Sequence, residues 1–149
     1  MKDLELVPIK LSDIDWLDKT EYKNLSTERR MELVISSTVG RVDGEFFRFF
    51  LIKKKNEIIG VVNMRGHGNK VVSVAPELIE KYRGKGFWKE SLKLAYSLAK
   101  QLGFKEVTAG IRKENHISQR LHEKLGFNFI KNEINKNGNL LKIYSKQLF

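Results

Sequence analysis

Arg83-Gly84-Lys85-Gly86-Phe87-Trp88 is a short basic turn with two glycines that opens directly into a long amphipathic segment. Such a turn leaves backbone N–H groups unpaired at the positive end of a helix dipole, where a phosphate or pyrophosphate can be held. Glycine at 84 and 86 allows backbone conformations and a close ligand approach that a side chain would block. Lys81, Arg83, Lys85 and Lys89 place positive charge around it. The turn is not a dinucleotide fingerprint, because Lys89 stands where the third glycine belongs. No Gly-x-x-x-x-Gly-Lys-Ser/Thr loop occurs either. Taken alone, the pair of glycines points only to an anion at a helix start.

A second group of polar residues follows. Asn115, Ser118 and His122 are spaced i, i+3 and i+7, so they project from one helical face, while Leu121 and Leu125 occupy another and are expected to pack inward. Polar groups aligned in this way can line a cleft. They are equally compatible with Asn115 capping the helix and Ser118 and His122 meeting solvent.

The elements that must position these groups are legible from periodicity and turn chemistry. Residues 3–9 read as a first strand ending near Pro8, and residues 12–17 as a short helix capped by Ser12. Ser26 or Thr27 caps a helix running to about Thr38 and closed by Gly40. Residues 45–53 and 58–64 are apolar and β-prone, and the turn at residues 66–69 leads to a strand at 71–74. The helix after the glycine turn spans about residues 86–102, with Trp88, Leu92, Ala95, Ala99 and Leu102 on its buried face. A strand at 107–111, a helix at 115–125, and a hairpin of 127–134 with 140–144 around Asn137-Gly138 complete the chain. The order implies an α/β fold in one domain over residues 1–149, with a mixed sheet covered by helices.

Composition narrows the chemistry. The chain has no cysteine, which excludes disulfides, thiolate metal sites and cysteine nucleophiles. No apolar run is long enough for a membrane span, and Met1-Lys2-Asp3-Leu4-Glu5 lacks the apolar core of a secretory leader, so a cytoplasmic protein without a membrane partner is expected. The net charge of +10 fits a polyanionic ligand, a nucleic acid, or simply a lysine-rich surface. Phe46, Phe47, Phe49 and Phe50 beside Arg48 offer aromatics to a nucleic acid, although strand alternation sends half of them inward.

The ordered combination of Arg83-Gly84-Lys85-Gly86, Asn115 with Ser118, and Gly126-Phe127 resembles the GNAT superfamily of N-acetyltransferases, most strongly over residues 58–130. The resemblance implies a central mixed, mostly antiparallel twisted sheet flanked by helices, and an acetyl-CoA site that requires no metal. It assigns the pyrophosphate to the amides of residues 84–87 beside Arg83, with Lys85 and Phe87 in that turn. The pantetheine arm is assigned to the strand end at Val74, with Asn115 and Ser118. It implies acetyl transfer to a primary amine, either a small molecule or a protein N-terminus or lysine, by direct attack. A nucleic acid is not required, and a homodimer is compatible.

Three departures from the family's pattern define further expectations. Trp88 replaces a glycine or alanine and is expected to begin the buried stripe. Residues 78–81 lengthen the path from Val74 to Arg83 by about one helical turn, so a bulging loop is expected there. His122 replaces a tyrosine that protonates the departing thiolate in many members, and is expected to serve as general acid, with Tyr82, Tyr96 and Tyr144 as alternatives. Glu77, or Glu80, is the candidate base through water. Asp13, Asp15, Asp18 and Glu21 form the only compact acidic group for a cationic acceptor. A basic RNA- or ribosome-associated module and a CoA-binding sensor without catalysis are the competing classes.

Overall fold

The computed structural model describes residues 3–149; Met1 and Lys2, part of the amino-terminal reading above, lie outside them. Eight strands form one mixed sheet: β1 Leu4–Pro8, β2 Arg41–Val42, β3 Glu45–Lys54, β4 Glu57–Gly66, β5 Val71–Leu78, β6 Glu106–Arg112, β7 Asn128–Ile134 and β8 Leu140–Gln147. The order across it is β1-β3-β4-β5-β6-β8-β7, with β2 paired to β3 off this path. Among the described residues, only β5 and β6 run parallel. Three α-helices, α1 Thr27–Val39, α2 Phe87–Gln101 and α3 His116–Lys124, complete the set, together with 3-10 segments at Leu11–Lys19, Glu21–Asn24 and Glu80–Tyr82.

Burial on both faces explains the run Phe46-Phe47-Arg48-Phe49-Phe50. In β3, an interior strand, Phe50 and Ile52 join one core cluster, and Phe47, Phe49 and Leu51 join the other. Phe46 packs edge-on against Phe104 at a centroid distance of 5.0 Å. Three of the four phenylalanines are buried, so this stretch is not an aromatic platform for bases. The first cluster also contains Leu92, Ala95 and Ala99 of α2. Leu17 and Val34 place the 3-10 segment and α1 on the opposite face.

The helices start and stop as their residues dictate. The Ser26 hydroxyl accepts the Arg29 N–H at 3.2 Å, so Ser26, not Thr27, caps α1, and Gly40 ends it in the left-handed region. The expected helix at 12–17 is a longer 3-10 segment. Arg30 ties it to α1: its guanidinium donates to Asp18 and to the carbonyls of Ile14 and Lys23. Asp18 is therefore committed to Arg30, and Asp13 accepts the Lys10 N–H at 2.9 Å.

Two sequence expectations change. Phe87, not Trp88, begins the buried stripe of α2, and Leu102 at its end is 49% exposed. The expected bulge after Val74 is absent. Instead β5 continues to Leu78, in register with β4 from Gly66↔Val72 to Gly60↔Leu78, and the extra residues form the single turn Glu80–Tyr82. Gly60 is required for that continuation, since a Cβ there would lie 2.3 Å from the Glu77 carbonyl oxygen. Among the described residues, no helix is long and apolar enough to cross a membrane.

Candidate functional site

The site begins where β5 and β6 part. Their register runs Val71↔Glu106, Val72↔Val107 and Ser73↔Thr108, and then stops. Ile79 donates to the Ile59 carbonyl on β4 at 3.0 Å. By alternation, the backbone groups of Ser73, Ala75 and Glu77 face β4, and those of Val74, Pro76 and Leu78 face β6. The next bond across would bring the Gly110 N–H to the Val74 carbonyl, and it is not made; the one after it would need an N–H on residue 76, which is proline and has none. The strands separate beyond Ser73, leaving the Val74 and Pro76 carbonyls and the Gly110 backbone facing a gap.

The gap is a cleft of about 530 Å³ lined by Val74, Pro76, Gly110, Asn115, Ser118 and His122. A second cavity of about 560 Å³ shares Pro76, Trp88, Asn115 and Ser118 with the first and extends to Arg83 and Gly84. Together they make one groove from the parted strands to the start of α2. Gly84 has φ +74° and Gly86 φ +85°, both in the left-handed region, which is why glycine stands at each. No other heavy atom lies within 4 Å of a Cβ built at Gly84, so the turn is open on that side. Helix geometry leaves the Trp88 and Lys89 N–H groups without an acceptor inside α2, and the dipole adds partial positive charge. Arg83 is fixed beside the turn, its Nε donating to the Leu78 carbonyl at 3.0 Å. Lys85 and Gly86 are exposed, while the Phe87 side chain is buried in the core.

Helix α3 forms the other wall. Asn115 caps it, its Oδ1 accepting the Ser118 N–H at 3.1 Å. Buried Gln119 donates to the carbonyls of Arg112 and Lys113 at 3.1 and 2.9 Å, locking α3 onto the end of β6. The expectation that Leu121 packs inward is wrong. Gln119 and His122 are the buried residues of α3, whereas Leu121 and Ile117 are exposed to water and line the second cavity. They give the groove an apolar wall opposite Trp88.

His122 is 6% exposed, with its ring edge-on to Trp88 at 5.7 Å and to Phe127 at 5.0 Å. Nδ1 lies 2.7 Å from the Ser118 carbonyl oxygen. A carbonyl only accepts, so Nδ1 carries the proton and Nε2 of the neutral ring carries the lone pair. Burial lowers the His122 pKa, and the bond to Ser118 opposes the shift. The resting imidazole is thus a proton acceptor. Tyr96 is half-buried, and the desolvation raises its pKa strongly and keeps it protonated.

On the opposite face of the sheet from α2, the Glu77 carboxylate accepts the Glu21 N–H at 3.0 Å. Glu77 belongs to β5, not to a loop. Desolvation raises its pKa, reinforced by the Glu21 charge and opposed by the bond from Glu21 and by Arg83. Tyr22, beside Glu21, accepts a hydrogen bond from Asn63 at 2.9 Å, and its pKa is pushed up to about 12, chiefly by burial. Of the acidic group noted in the sequence, Glu21 alone meets Glu77.

The structure thus joins Val74, Asn115, Ser118 and His122 in one cleft, and Glu77, Arg83 and Gly84 along its continuation. Trp88, Pro76, Ile117 and Leu121 also line the groove, although none of them is a groove residue in the sequence expectations. For Pro76 the signal was available, because a proline inside a strand marks the place where pairing ends.

A family model described as Acetyltransferase (GNAT) domain matches residues 4–128. The SPbeta prophage-derived uncharacterized N-acetyltransferase YokL of Bacillus subtilis (strain 168) is 33% identical over 92 residues, covering 58% of this chain and 51% of that protein. The chain therefore spans about half the length of that relative. Among solved structures, a chimera of spermidine N-acetyltransferase SpeG from Vibrio cholerae and hSSAT superposes with a TM-score of 0.84 at 18% identity, covering 98% of this chain and 96% of that one. RimL, a ribosomal-protein alpha-N-acetyltransferase in complex with coenzyme A, gives a TM-score of 0.78 at 19% identity, with coverage of 99% and 95%. These two likenesses establish the fold.

Proposed function

The chain belongs to the acetyltransferase (GNAT) family, and on that premise we propose that it transfers the acetyl group of acetyl-CoA to a primary amine. The observation that carries the reading is the parting of β5 from β6 beyond Ser73, which opens a groove that ends at the glycine turn of α2. The residues fit such a ligand along its length. Gly84, Gly86 and the first turn of α2 suit the pyrophosphate, with Arg83 beside them. The Val74 and Pro76 carbonyls face the gap, where amide N–H groups of the pantetheine arm would find acceptors. Trp88, Ile117 and Leu121 offer apolar contact to its methylenes. Asn115 and Ser118 close the same wall.

The thioester supplies an activated acetyl group, and its transfer to nitrogen forms an amide and releases a thiol. The acceptor arrives as an ammonium with a pKa near ~10 and must lose two protons. Glu77, on the face opposite α2 and beside Glu21, takes the first through water and passes it to solvent. His122 Nε2 takes the second and returns it to the departing sulfur. This assigns His122 a shuttle that starts neutral, in place of an imidazolium acid that burial disfavours. The two carboxylates Glu21 and Glu77 favour a cationic acceptor.

Titration calorimetry with acetyl-CoA, followed by a panel of primary amines monitored for free thiol, tests the proposal. Micromolar binding and amine-dependent thiol release are expected. No binding at millimolar acetyl-CoA, or no release with any amine, would remove it. A second prediction isolates His122. His122→Asn keeps a donor for the Ser118 carbonyl and removes the lone pair at Nε2. It is expected to leave the acetyl-CoA Kd within ~3-fold while lowering kcat by ~10-fold or more. Equal kcat in the two proteins would return His122 to a packing role.

A further inference from the structure

The outer edge of the sheet at β7 is uncovered. All seven residues of β7 are exposed, among them Phe129, Ile130 and Ile134 at 50%, 56% and 69%. We propose that this edge pairs with the same edge of a second copy, antiparallel about a two-fold axis at Asn132, to form one continuous sheet across a homodimer. The inference is independent of the acetyl-transfer reading.

The backbone supports such a pairing. Lys113 donates to Leu140 and Leu148 donates to Lys105, so the even-numbered residues of β8 face β6 and Leu141 and Ile143 face β7. Their partners are Glu133 and Lys131. By alternation, the N–H and C=O groups of Asn132 and Ile134 point away from the sheet. Asn135 N–H closes on the Asn139 carbonyl at 3.0 Å, which keeps this phase through to the hairpin end. The shift between Phe129 and Lys131 places an irregularity at Ile130 and bounds the regular edge on that side.

Charge selects the register. With Asn132 opposite Asn132, Lys131 of each copy faces Glu133 of the other, and Ile130 lies opposite Ile134. Sliding by two residues one way sets Lys131 against Lys131, and the other way sets Glu133 against Glu133. Only the central register is complementary in both charge and apolar contact, and it is self-complementary, as a two-fold contact requires. Lys131 and Glu133 already share one face of the strand, 4.0 Å apart, with side chains 61% and 54% exposed. An edge whose unpaired backbone groups and side chains match their own reverse is suited to a second copy.

Sedimentation velocity over a range of protein concentrations, with circular dichroism as the fold control, tests this. The native chain is expected to be dimeric at micromolar concentration. Asn132→Pro removes the N–H on the axis and should weaken the dimer by ~100-fold or more with the dichroism spectrum unchanged. Lys131→Glu and Glu133→Lys should each weaken it by ~10-fold, and the double exchange should restore it. Mixing the two single variants should give a heterodimer in preference to either homodimer. A monomeric native chain, or a dimer insensitive to all of these substitutions, would overturn the proposal.

Discussion

Gly84→Glu is expected to abolish measurable acetyl-CoA binding while leaving the protein folded. Gly84 has φ +74°, and a Cβ there meets no atom within 4 Å. Space is therefore not the obstacle. A non-glycine residue in the left-handed region costs roughly 1–2 kcal/mol, which lowers Tm by only a few degrees in a domain of this size. The larger effect is electrostatic. A carboxylate about 4 Å from a phosphate is repelled by about 4 kcal/mol per unit charge at an effective dielectric of 20. That corresponds to a loss of roughly 100- to 1000-fold in affinity. Gly84→Ala separates the two causes, because it carries the backbone strain without the charge. Its Kd should rise by less than ~10-fold. Calorimetry on both variants decides the matter: near-native affinity in Gly84→Glu would place the diphosphate away from this turn.

The turn at Arg83-Gly84-Lys85-Gly86 was legible in the sequence because it is local. Positive φ, a helix start and basic neighbours all lie within six residues. The face of α3 carrying Asn115, Ser118 and His122 was legible for the same reason. What escaped the reading depends on what packs against what. Leu121 reads as core by spacing, yet α3 rests on β6 through Gln119, and this rotates Leu121 into the groove. Trp88 falls in phase with Leu92 and Ala95, but Phe87 takes the core position and leaves the indole as a wall. β5 runs beyond the expected 71–74, although Ala75-Pro76-Glu77 has weak strand propensity. Register with β4, permitted by Gly60, overrides that preference. The tautomer of His122 follows from a single carbonyl at 2.7 Å, and side-chain spacing carries no such information.

Glu77 shows how that longer strand changes the chemistry. In a loop its carboxylate would be a solvated charge. On β5 it is held against the Glu21 N–H, partly desolvated, with its pKa raised. Glu77→Gln is expected to lower kcat/KM for the amine by ~10²-fold or more, because glutamine still accepts the Glu21 N–H but takes no proton. The native rate should rise with pH as the raised carboxyl ionises and then level off, and the variant should lose this limb. Stability should move the other way. A carboxyl whose folded pKa exceeds its unfolded value favours the fold below the unfolded pKa, and that contribution is lost as pH rises through the folded pKa. Glu77→Gln removes that loss, so the variant should be no less stable than the native protein at pH 7 by denaturant titration. Reduced turnover at undiminished stability identifies a group kept for function. A variant that retains both the rate and its pH limb would shift removal of the first proton from Glu77 to another acceptor.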